Sequence, residues 1–337
     1  MLSPEQRAVL EEACTLLSDV KQEDNEEQWL KTRSKGIGGS DVGAICGVNN
    51  WTSARQIYFN KTGQFQDQTE PSYAAKERMH FGHVLESVVA NEFEERNPEY
   101  CCIEADGTYS SKAFDFLLAN VDRLVINLED LNIAGILECK TASESMNEEW
   151  ANGNVPMSYY YQVQHYMFVT GIHRAWICCL VGGNKFYQYD IFFDEQLYTK
   201  HILPELINFW QNCVLKLQEP STQAADDDFF NKLFASPTEE EPVELTTFDD
   251  LGDKLIALKI QQKELDKEIK ALQAQVKAEL GEHTVGYSPS YEFKWSPRTR
   301  TGIDSTKLRS EYPEVYDDCI TTTSYRQMSI KKVVQDD

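Results

Sequence analysis

One segment of the 337-residue chain, residues 135–142 with the sequence GILECKTA, constrains the fold more than any other. Its apolar residues predict a buried β-strand, yet Glu138 and Lys140 stand within it. Because they are two residues apart, a strand directs both side chains to the same face. Removing each ion from water costs on the order of several kcal/mol. The segment therefore predicts either a structural salt bridge in a half-exposed strand or a site that uses both charges.

Another carboxylate in an apolar run, Asp122 in LANVDRLV, lies upstream of this segment. Two strands joined by a turn around residues 128–132 can bring Asp122 beside Glu138, where the two carboxylates repel each other unless a cation joins them. Mg²⁺ takes oxygen ligands and retains waters that can face a phosphate. The sequence therefore predicts a metal site with Asp122, Glu138 and the main-chain carbonyl of Cys139 as ligands. We expect Lys140 to orient or help deprotonate a metal-bound water and to neutralise charge on a phosphorane.

The composition favours a protein of the reducing cytoplasm. No run of about 18 apolar residues predicts a membrane span, and the N-terminus lacks the pattern of a signal peptide. The nine cysteines are odd in number and form no C-x-x-C motif, which disfavours zinc and iron–sulfur sites. The net charge of −23 alone disfavours nucleic-acid binding, but eleven acidic residues and one lysine are concentrated at residues 219–253. The total charge therefore does not exclude a local cleft for nucleic acid.

Hydrophobic periodicity and Gly/Pro punctuation predict the order of helices and strands along the first part of the chain. Strands are expected within residues 100–142 and 173–193. Helices are expected at residues 3–32, 53–63, 74–97, 156–171 and 195–218, with a short one after the glycines near residue 40. This alternation predicts an α/β or α+β fold.

The character of the sequence changes after Pro220. Residues 221–248 are acidic and contain prolines, which predicts a linker. Residues 249–280 carry leucines at spacings of three, four and seven, which predict an amphipathic or coiled-coil helix. Strand-like segments follow, so we predict a domain at 1–220, a linker at 221–248, and a helical and small β extension at 249–337.

A glycine-rich segment at residues 33–41, RSKGIGGSD, predicts a tight loop that runs into a helix. Such a loop presents free N–H groups and the positive end of a helix dipole, which suit a phosphate. A simple turn has the same sequence pattern. Farther along the chain, Gln162 and Tyr166 stand at i and i+4, so a helix places them on one face.

The spacing Asp–x15–Glu–x–Lys resembles that of the PD-(D/E)xK nuclease superfamily, and more narrowly that of phage lambda exonuclease and YqaJ-type recombinases. Three further segments resemble that family in the same order: KTRSKGIGGSDVGAICGVNNW, FGHVLESVVANEFEER and NVPMSYYYQVQHYMFVTG. The agreement extends from about Trp29 to Asp190. The resemblance implies a restriction-endonuclease-like core, in which a central mixed β-sheet is flanked by helices.

The resemblance also implies roles for individual residues. Asp122, Glu138 and Lys140 match the catalytic residues, and Glu86 matches a helix glutamate that helps to bind a second metal ion. Arg33 and Ser40 match residues that bind the terminal 5′-phosphate of DNA, and Lys35 is a neighbouring cation. Gln162 and Tyr166 match residues that line the DNA cleft near the metal. His83, one turn before Glu86, is either a supporting residue or a helix-surface histidine.

Two positions depart from the family pattern. Val121 precedes the catalytic aspartate where the family has proline, which loosens the turn and keeps the ligand. Some members carry a further aspartate about where Ser111 or Lys112 stands here, and Asp115 is the nearest acidic alternative. The ligand set of a second metal ion therefore stays open.

The resemblance implies a Mg²⁺-dependent exonuclease, with Mn²⁺ as a substitute, that digests double-stranded DNA from 5′ to 3′. It implies a phage or prophage recombination system in the bacterial cytoplasm, where the 3′ single-stranded tails go to an annealing protein. It also implies a homo-oligomer, with a ring-shaped trimer favoured. The alternatives are an endonuclease or repair nuclease of the same superfamily, and an inactive DNA-binding or interaction protein.

Overall fold

The computed structural model describes residues 2–22, 24–65, 72–235, 241–321 and 326–332. The chain divides into two units, Met1–Leu233 and Phe234–Asp337. The first unit contains ten α-helices among its described residues: α1 (Pro4–Ala13), α2 (Glu26–Arg33), α3 (Gly39–Ile45), α4 (Ala54–Thr62), α5 (Tyr73–Arg96), α6 (Asn147–Trp150), α7 (Met157–Thr170), α8 (Glu195–Leu197), α9 (Leu203–Asn208) and α10 (Asp226–Leu233). Short 3₁₀ and π turns lie at Glu144–Met146, Tyr198–Ile202 and Phe209–Val214.

The strands of the first unit form two sheets. They are β1 (Cys14–Ser18), β2 (Tyr100–Glu104), β3 (Thr108–Ser111), β4 (Leu118–Asn120), β5 (Arg123–Asn127), β6 (Ile133–Ala142), β7 (Arg174–Val181) and β8 (Lys185–Phe192). The central sheet has the order β2-β5-β6-β7-β8, in which only β6 and β7 are parallel. The small sheet has the order β1-β3-β4.

Helices cover both faces of the central sheet. Val89, Ala90 and Phe93 of α5 pack with Leu137 and Trp176 on one face. The larger core cluster on the other side includes apolar residues of α3 and α7. The predicted mixed sheet flanked by helices is therefore confirmed. Among the described residues, no helix is both long enough and apolar enough to cross a bilayer.

The middle strand β6 changes its environment halfway along its length. Its pairing with β5 ends where Arg123 faces Leu137, whereas its pairing with β7 continues to Ala142. The segment from Glu138 onward therefore has β7 on one edge and the connection between β4 and β5 on the other. This arrangement leaves room beside Glu138 for a side chain instead of a neighbouring strand.

The prediction of one helix over residues 3–32 was wrong. Helix α1 begins after the N-cap Ser3 and ends at Ala13, and the chain then forms β1. Cys14 is buried and faces Ser111 of β3, so a long-range strand pairing replaces the local helical preference. A new helix, α2, begins after Asn25, whose side chain accepts a hydrogen bond from the Gln28 N–H.

The first unit extends past residue 220 to Leu233. Helix α10 lies within the segment expected to be a linker, and its Phe229 is buried. Asp226 is 0 % exposed, and its Oδ2 lies 3.5 Å from Nε of Arg55 in α4. Buried contacts with α4 therefore hold part of the acidic segment in place. The division into a nuclease domain at 1–220, a linker at 221–248 and an extension at 249–337 stays a prediction.

The second unit contains three helices and a hairpin among its described residues: α11 (Asp249–Leu280), β9 (Val285–Tyr287), β10 (Glu292–Lys294), α12 (Ser305–Glu311) and α13 (Pro313–Cys319). The predicted long amphipathic helix and the first strand-like segment are present. The second strand-like segment forms no strand in its described residues, 319–321 and 326–332, and its remainder lies outside the described residues.

His165 joins α7 to the rest of the first unit from a fully buried position. Its Nε2 lies 3.0 Å from the Leu118 carbonyl, which can only accept, so Nε2 carries the proton. Its Nδ1 then accepts from the Tyr198 hydroxyl at 3.0 Å. Burial lowers the pKa of His165 to about 4, so the neutral ring is the folded form.

The buried histidine predicts a specific acid sensitivity. The unfolded chain binds a proton at His165 below pH ~6.5, whereas the folded chain does so only near pH 4. Lowering the pH from ~6.5 to about 4 should therefore reduce the free energy of unfolding of the native protein. This reduction should exceed that of the His165→Gln variant by up to about 3 kcal/mol. Urea unfolding at a series of pH values measures this difference. The exposed His201→Gln variant is the control, and parallel curves for native protein and His165→Gln would contradict the assignment.

Candidate active site

Glu138 is the most deeply buried charged residue of the site. Its side chain lies in β6 with 1 % of its surface exposed. Oε1 receives a hydrogen bond of 2.7 Å from Nε2 of Gln162 and lies 2.5 Å from Nζ of Lys140. Oε2 is buried and has no hydrogen-bond partner among the described residues. One oxygen of this carboxylate is therefore fully used, while the other is available to a ligand.

Asp122 lies beside Glu138 in the connection between β4 and β5. Its Oδ2 accepts a hydrogen bond of 2.9 Å from the main-chain N–H of Cys139. The N–H and carbonyl of one residue in a strand point to the same edge, so the Cys139 carbonyl also faces this connection. The early end of the β5–β6 ladder thus brings together the two carboxylates and one main-chain oxygen.

The charges in this site perturb one another strongly. Burial raises the pKa of Glu138 to about 8, and the neighbouring charge of Asp122 contributes to the rise. Burial also raises the pKa of Asp122. For Lys140, burial acts to lower the pKa, but the attraction of Glu138 and Asp122 outweighs it and raises the pKa above its usual value. The lysine is therefore held as a cation next to Glu138, and Glu138 and Asp122 disfavour each other's ionisation.

Glu86 of α5 approaches the same connection from another direction. It forms a salt bridge with Arg123, whose guanidinium also donates to the Asp122 carbonyl at 2.7 Å. Burial raises the pKa of Glu86, and the charge of Asp122 adds to the effect. Glu86 also lines the same cleft as Asp122 and Arg123, so the structure brings it beside the other predicted site residues. His83 lines the neighbouring cleft with an exposed side chain.

Gln162 and Tyr166 share one face of α7, as their spacing predicts. Nε2 of Gln162 lies 3.0 Å from the Tyr166 hydroxyl, and both side chains are buried. The intervening Gln164 points elsewhere and bonds with the main chain of Phe192 and Asp194. Helix α7 therefore supports Glu138 through Gln162, which is itself held by Tyr166.

The glycine-rich loop packs directly against this support. The main chain of Ile37 exchanges hydrogen bonds with Phe116 and Leu118, which places α3 against α7. A Cβ on Gly39 would lie 2.4 Å from Cε1 of Tyr166, a distance that no packed structure tolerates. Glycine at residue 39 thus allows the loop to approach the residues that hold Glu138.

The predicted phosphate residues lie around this loop. Nη2 of Arg33 donates to Oγ of Ser40 at 2.6 Å, and its guanidinium lies 4.6 Å from the ring centre of Trp29. Ser40 and Lys35 are both exposed, and among the described residues no hydrogen bond joins Lys35 to Arg33 or Ser40. The loop therefore presents a preorganised arginine and a hydroxyl, with a separate lysine nearby in sequence.

An open cleft of about 710 Å³ lies beside the metal-ligand candidates. Its lining includes Asp122, Glu86, Arg123 and Trp29. Arg33 stacks on Trp29, but none of residues 33–41 of the glycine-rich loop lines the cleft itself. Ser111, Lys112 and Asp115 are not part of this lining.

The donor set fits a hard divalent cation. It combines the unpartnered Oε2 of Glu138, the carboxylate of Asp122 and the carbonyl of Cys139, and oxygen donors of this kind suit Mg²⁺ or Mn²⁺. Across the described ranges, no three His, Cys, Asp or Glu side chains form a complete metal cage. Main-chain oxygen and water would therefore complete the coordination, as is usual for Mg²⁺.

Three residues that contact the predicted site residues were not identified from the sequence. Arg123 follows Asp122 directly, and its position beside two predicted ligands was the available signal. Asp41, the last residue of the glycine-rich loop, is buried, and Nζ of Lys61 lies 2.9 Å from its Oδ2. Burial acts to raise the pKa of Asp41, but Lys61 and then Arg33 outweigh it and lower the pKa. No local pattern marks Lys61, because its contact with the loop is long-range.

Sequence comparison finds a family model for part of the chain and a relative that aligns along most of it. Residues 28–173 match the family model described as the YqaJ-like viral recombinase domain. The Uncharacterized protein YqaJ of Bacillus subtilis (strain 168) is 34 % identical over 312 residues. That alignment covers 91 % of this chain and 94 % of the relative, so it includes residues of both units.

Solved structures show a weaker likeness. The alkaline exonuclease LHK-Exo from Laribacter hongkongensis is 16 % identical with a TM-score of 0.44, over 57 % of this chain and 94 % of that one. A phage related exonuclease from Haemophilus somnus 129PT is 11 % identical with a TM-score of 0.39, over 54 % and 96 %. Neither likeness is close enough to support a conclusion about this chain.

The surroundings of Gly39 and Gly82 predict opposite effects on stability when each is replaced by alanine. Gly39→Ala should lower the free energy of unfolding by about 1–3 kcal/mol, because the new Cβ overpacks against Tyr166. Gly82→Ala, within α5, should raise it by up to about 1 kcal/mol, because nothing lies within 4 Å of the new Cβ. Urea unfolding measures both. A neutral Gly39→Ala would show that the loop does not depend on this close approach.

Proposed function

The chain belongs to the family of YqaJ-like viral recombinases, and on that premise we propose that it is a Mg²⁺-dependent exonuclease that digests double-stranded DNA from the 5′ end. The observation that carries the proposal is the buried Glu138, whose Oε2 has no partner among the described residues, beside Asp122 and Lys140. A purely structural salt bridge needs neither the second carboxylate nor the free oxygen.

Each residue around the scissile phosphate has a distinct task. Asp122, Glu138 and the Cys139 carbonyl would hold the metal ion, which when bound lowers the pKa of water and screens the phosphate charge. Gln162 keeps Glu138 in its orientation, and the Cys139 N–H does so for Asp122. Lys140 holds a proton at Nζ and places a positive charge where negative charge grows in the transition state.

The glycine-rich loop supports the preference for an end. Arg33 and Ser40 lie together at the loop, and charge-assisted hydrogen bonds from arginine suit a phosphate. Because the loop packs on Tyr166, the distance between the terminal phosphate and the metal ligands would be fixed. Arg33, Ser40 and nearby Lys35 would thus set the register of cleavage, and Gln162 and Tyr166 would border the DNA.

The family's description as viral recombinases supports the biological setting that we propose. Digestion of one strand would leave 3′ single-stranded tails for an annealing protein, within a phage or prophage system in the bacterial cytoplasm. A ring-shaped homotrimer would enclose the duplex. Because the chain carries a large negative charge, most of its surface would repel DNA and only a local cleft would attract it. A ring that encloses the duplex would keep the DNA bound despite this repulsion.

Three duplexes test the proposal directly. Linear DNA with 5′-phosphates should be digested with Mg²⁺ and left intact with EDTA. Linear DNA with 5′-hydroxyls should be digested more slowly, because Arg33 and Ser40 lose their ligand, and circular duplex should stay intact. Gel analysis of end-labelled strands measures the rate and direction. Cleavage of the circle would favour an endonuclease, and binding without hydrolysis of any substrate would favour an inactive DNA-binding protein.

Substitution of the charged residues should separate chemistry from folding. We expect Asp122→Asn, Glu138→Gln and Lys140→Met each to lower the rate of digestion by roughly 10²-fold or more. Glu86→Gln should lose most activity at low Mg²⁺ concentration.

Lys185→Met is the matched control for these substitutions. It breaks an exposed ion pair between Lys185, in β8 of the same sheet, and Glu144. Circular dichroism checks the fold of each variant. Near-normal digestion by Lys140→Met would remove that lysine from the mechanism.

A further inference from the structure

Helix α11 of the second unit carries a regular apolar seam. In a heptad written abcdefg, its a and d positions extend over four repeats. The d residues are all leucine: Leu251, Leu258, Leu265 and Leu272. The a residues are Leu255, Gln262, Ile269 and Val276. A sequence of this kind needs a second helix, because a single helix cannot cover its own seam.

The described residues of the same unit cover only the ends of this seam. At one end, Cδ1 of Ile330 lies 3.5 Å from the position of a Cβ on Gly252. At the other end, the hairpin lies against Leu280 and Lys277. The middle is bare, since the exposed fractions of its apolar residues are 51 % for Leu258, 59 % for Leu265, 52 % for Ile269 and 55 % for Leu272.

The seam is complementary to a second copy of itself in antiparallel orientation. If the twofold axis lies between Gln262 and Leu265, every a residue faces a d residue of the other copy. Each layer of the coiled coil then pairs a residue of one copy with a residue of the other: Leu251 with Val276, Leu255 with Leu272, Leu258 with Ile269, and Gln262 with Leu265. No apolar residue of the seam is left without a counterpart, and the two Gln262 amides can reach each other across the axis.

The charges that flank the seam distinguish between the two orientations. In the antiparallel pair, the e positions face each other, so Lys259 of each copy meets Asp266 of the other. In a parallel dimer or trimer, g faces e of the following heptad, and Lys254 would meet Lys259 of the next copy. Neither Lys259 nor Asp266 has an ion-pair partner among the described residues. Charge complementarity therefore selects a second copy, in antiparallel orientation.

We propose that α11 is an assembly element, which pairs with α11 of a second copy as an antiparallel coiled coil. This contact involves the second unit alone and is independent of the chemistry proposed for the first. It also differs from the contact expected within a threefold ring, whose symmetry would require parallel helices. Pairing through α11 would instead join one nuclease assembly to another.

Charge reversal in the full-length chain tests the proposal. Lys259→Glu and Asp266→Lys each place like charges opposite each other twice in the dimer, and each should raise the dissociation constant roughly tenfold. The double variant Lys259→Glu/Asp266→Lys should restore association, because the pairs are exchanged. Lys263→Glu makes the same charge change at a b position, away from the seam, and is the matched control. Analytical ultracentrifugation over a concentration series gives the constants.

A covalent readout identifies the contact itself. A zero-length carbodiimide should link Lys259 to Asp266 between chains, which mass spectrometry of mixed ¹⁴N and ¹⁵N protein distinguishes from a link within one chain. The proposal is overturned if the double variant stays dissociated, if Lys263→Glu has an equal effect, or if no interchain link forms. It is also overturned if Lys254→Glu strengthens association, because only parallel helices bring Lys254 to Lys259.

Discussion

The burial of one carboxylate, Glu138, is the constraint on which the rest of the first unit depends. Its removal from water costs several kcal/mol, on the order expected for a buried ion, and the surrounding elements offset that cost in different ways. Helix α7 supplies the amide of Gln162, β6 supplies Lys140, and the shortened ladder with β5 admits Asp122. The glycine-rich loop then packs on Tyr166, so the fold and the site depend on the same few contacts.

The parts that the sequence predicts well are those with a short-range signal. Glu138 and Lys140 share a face because strands alternate, and Gln162 and Tyr166 share one because helices repeat every 3.6 residues. The α/β or α+β class followed from the order of the elements, and the mixed sheet from the resemblance to PD-(D/E)xK nucleases. The resemblance also pointed to Glu86, whose place beside Asp122 no local pattern reveals.

The parts that the sequence does not predict depend on contacts between distant residues. Strand β1 forms because Cys14 meets β3, far along the chain, and not because its own residues disfavour a helix. The acidic segment after residue 220 reads as a linker, yet Asp226 and Arg55 hold its first part in the fold. In the same way, the pairing of Lys61 with Asp41 exists only once α3 and α4 have packed.

The end of the β5–β6 ladder at Leu137 has a consequence for how such chains diverge. Extending the ladder would satisfy more main-chain groups but would take the Cys139 N–H away from Asp122. The main-chain N–H of Cys139 can therefore either pair with β5, which would stabilise the sheet, or bind Asp122 in the candidate site. With the roles proposed for Glu138 and Lys140, a gene copy released from selection for its chemistry would gain stability by exchanging both for apolar residues of similar volume. Inactive descendants should accordingly lose these two residues long before they lose the fold.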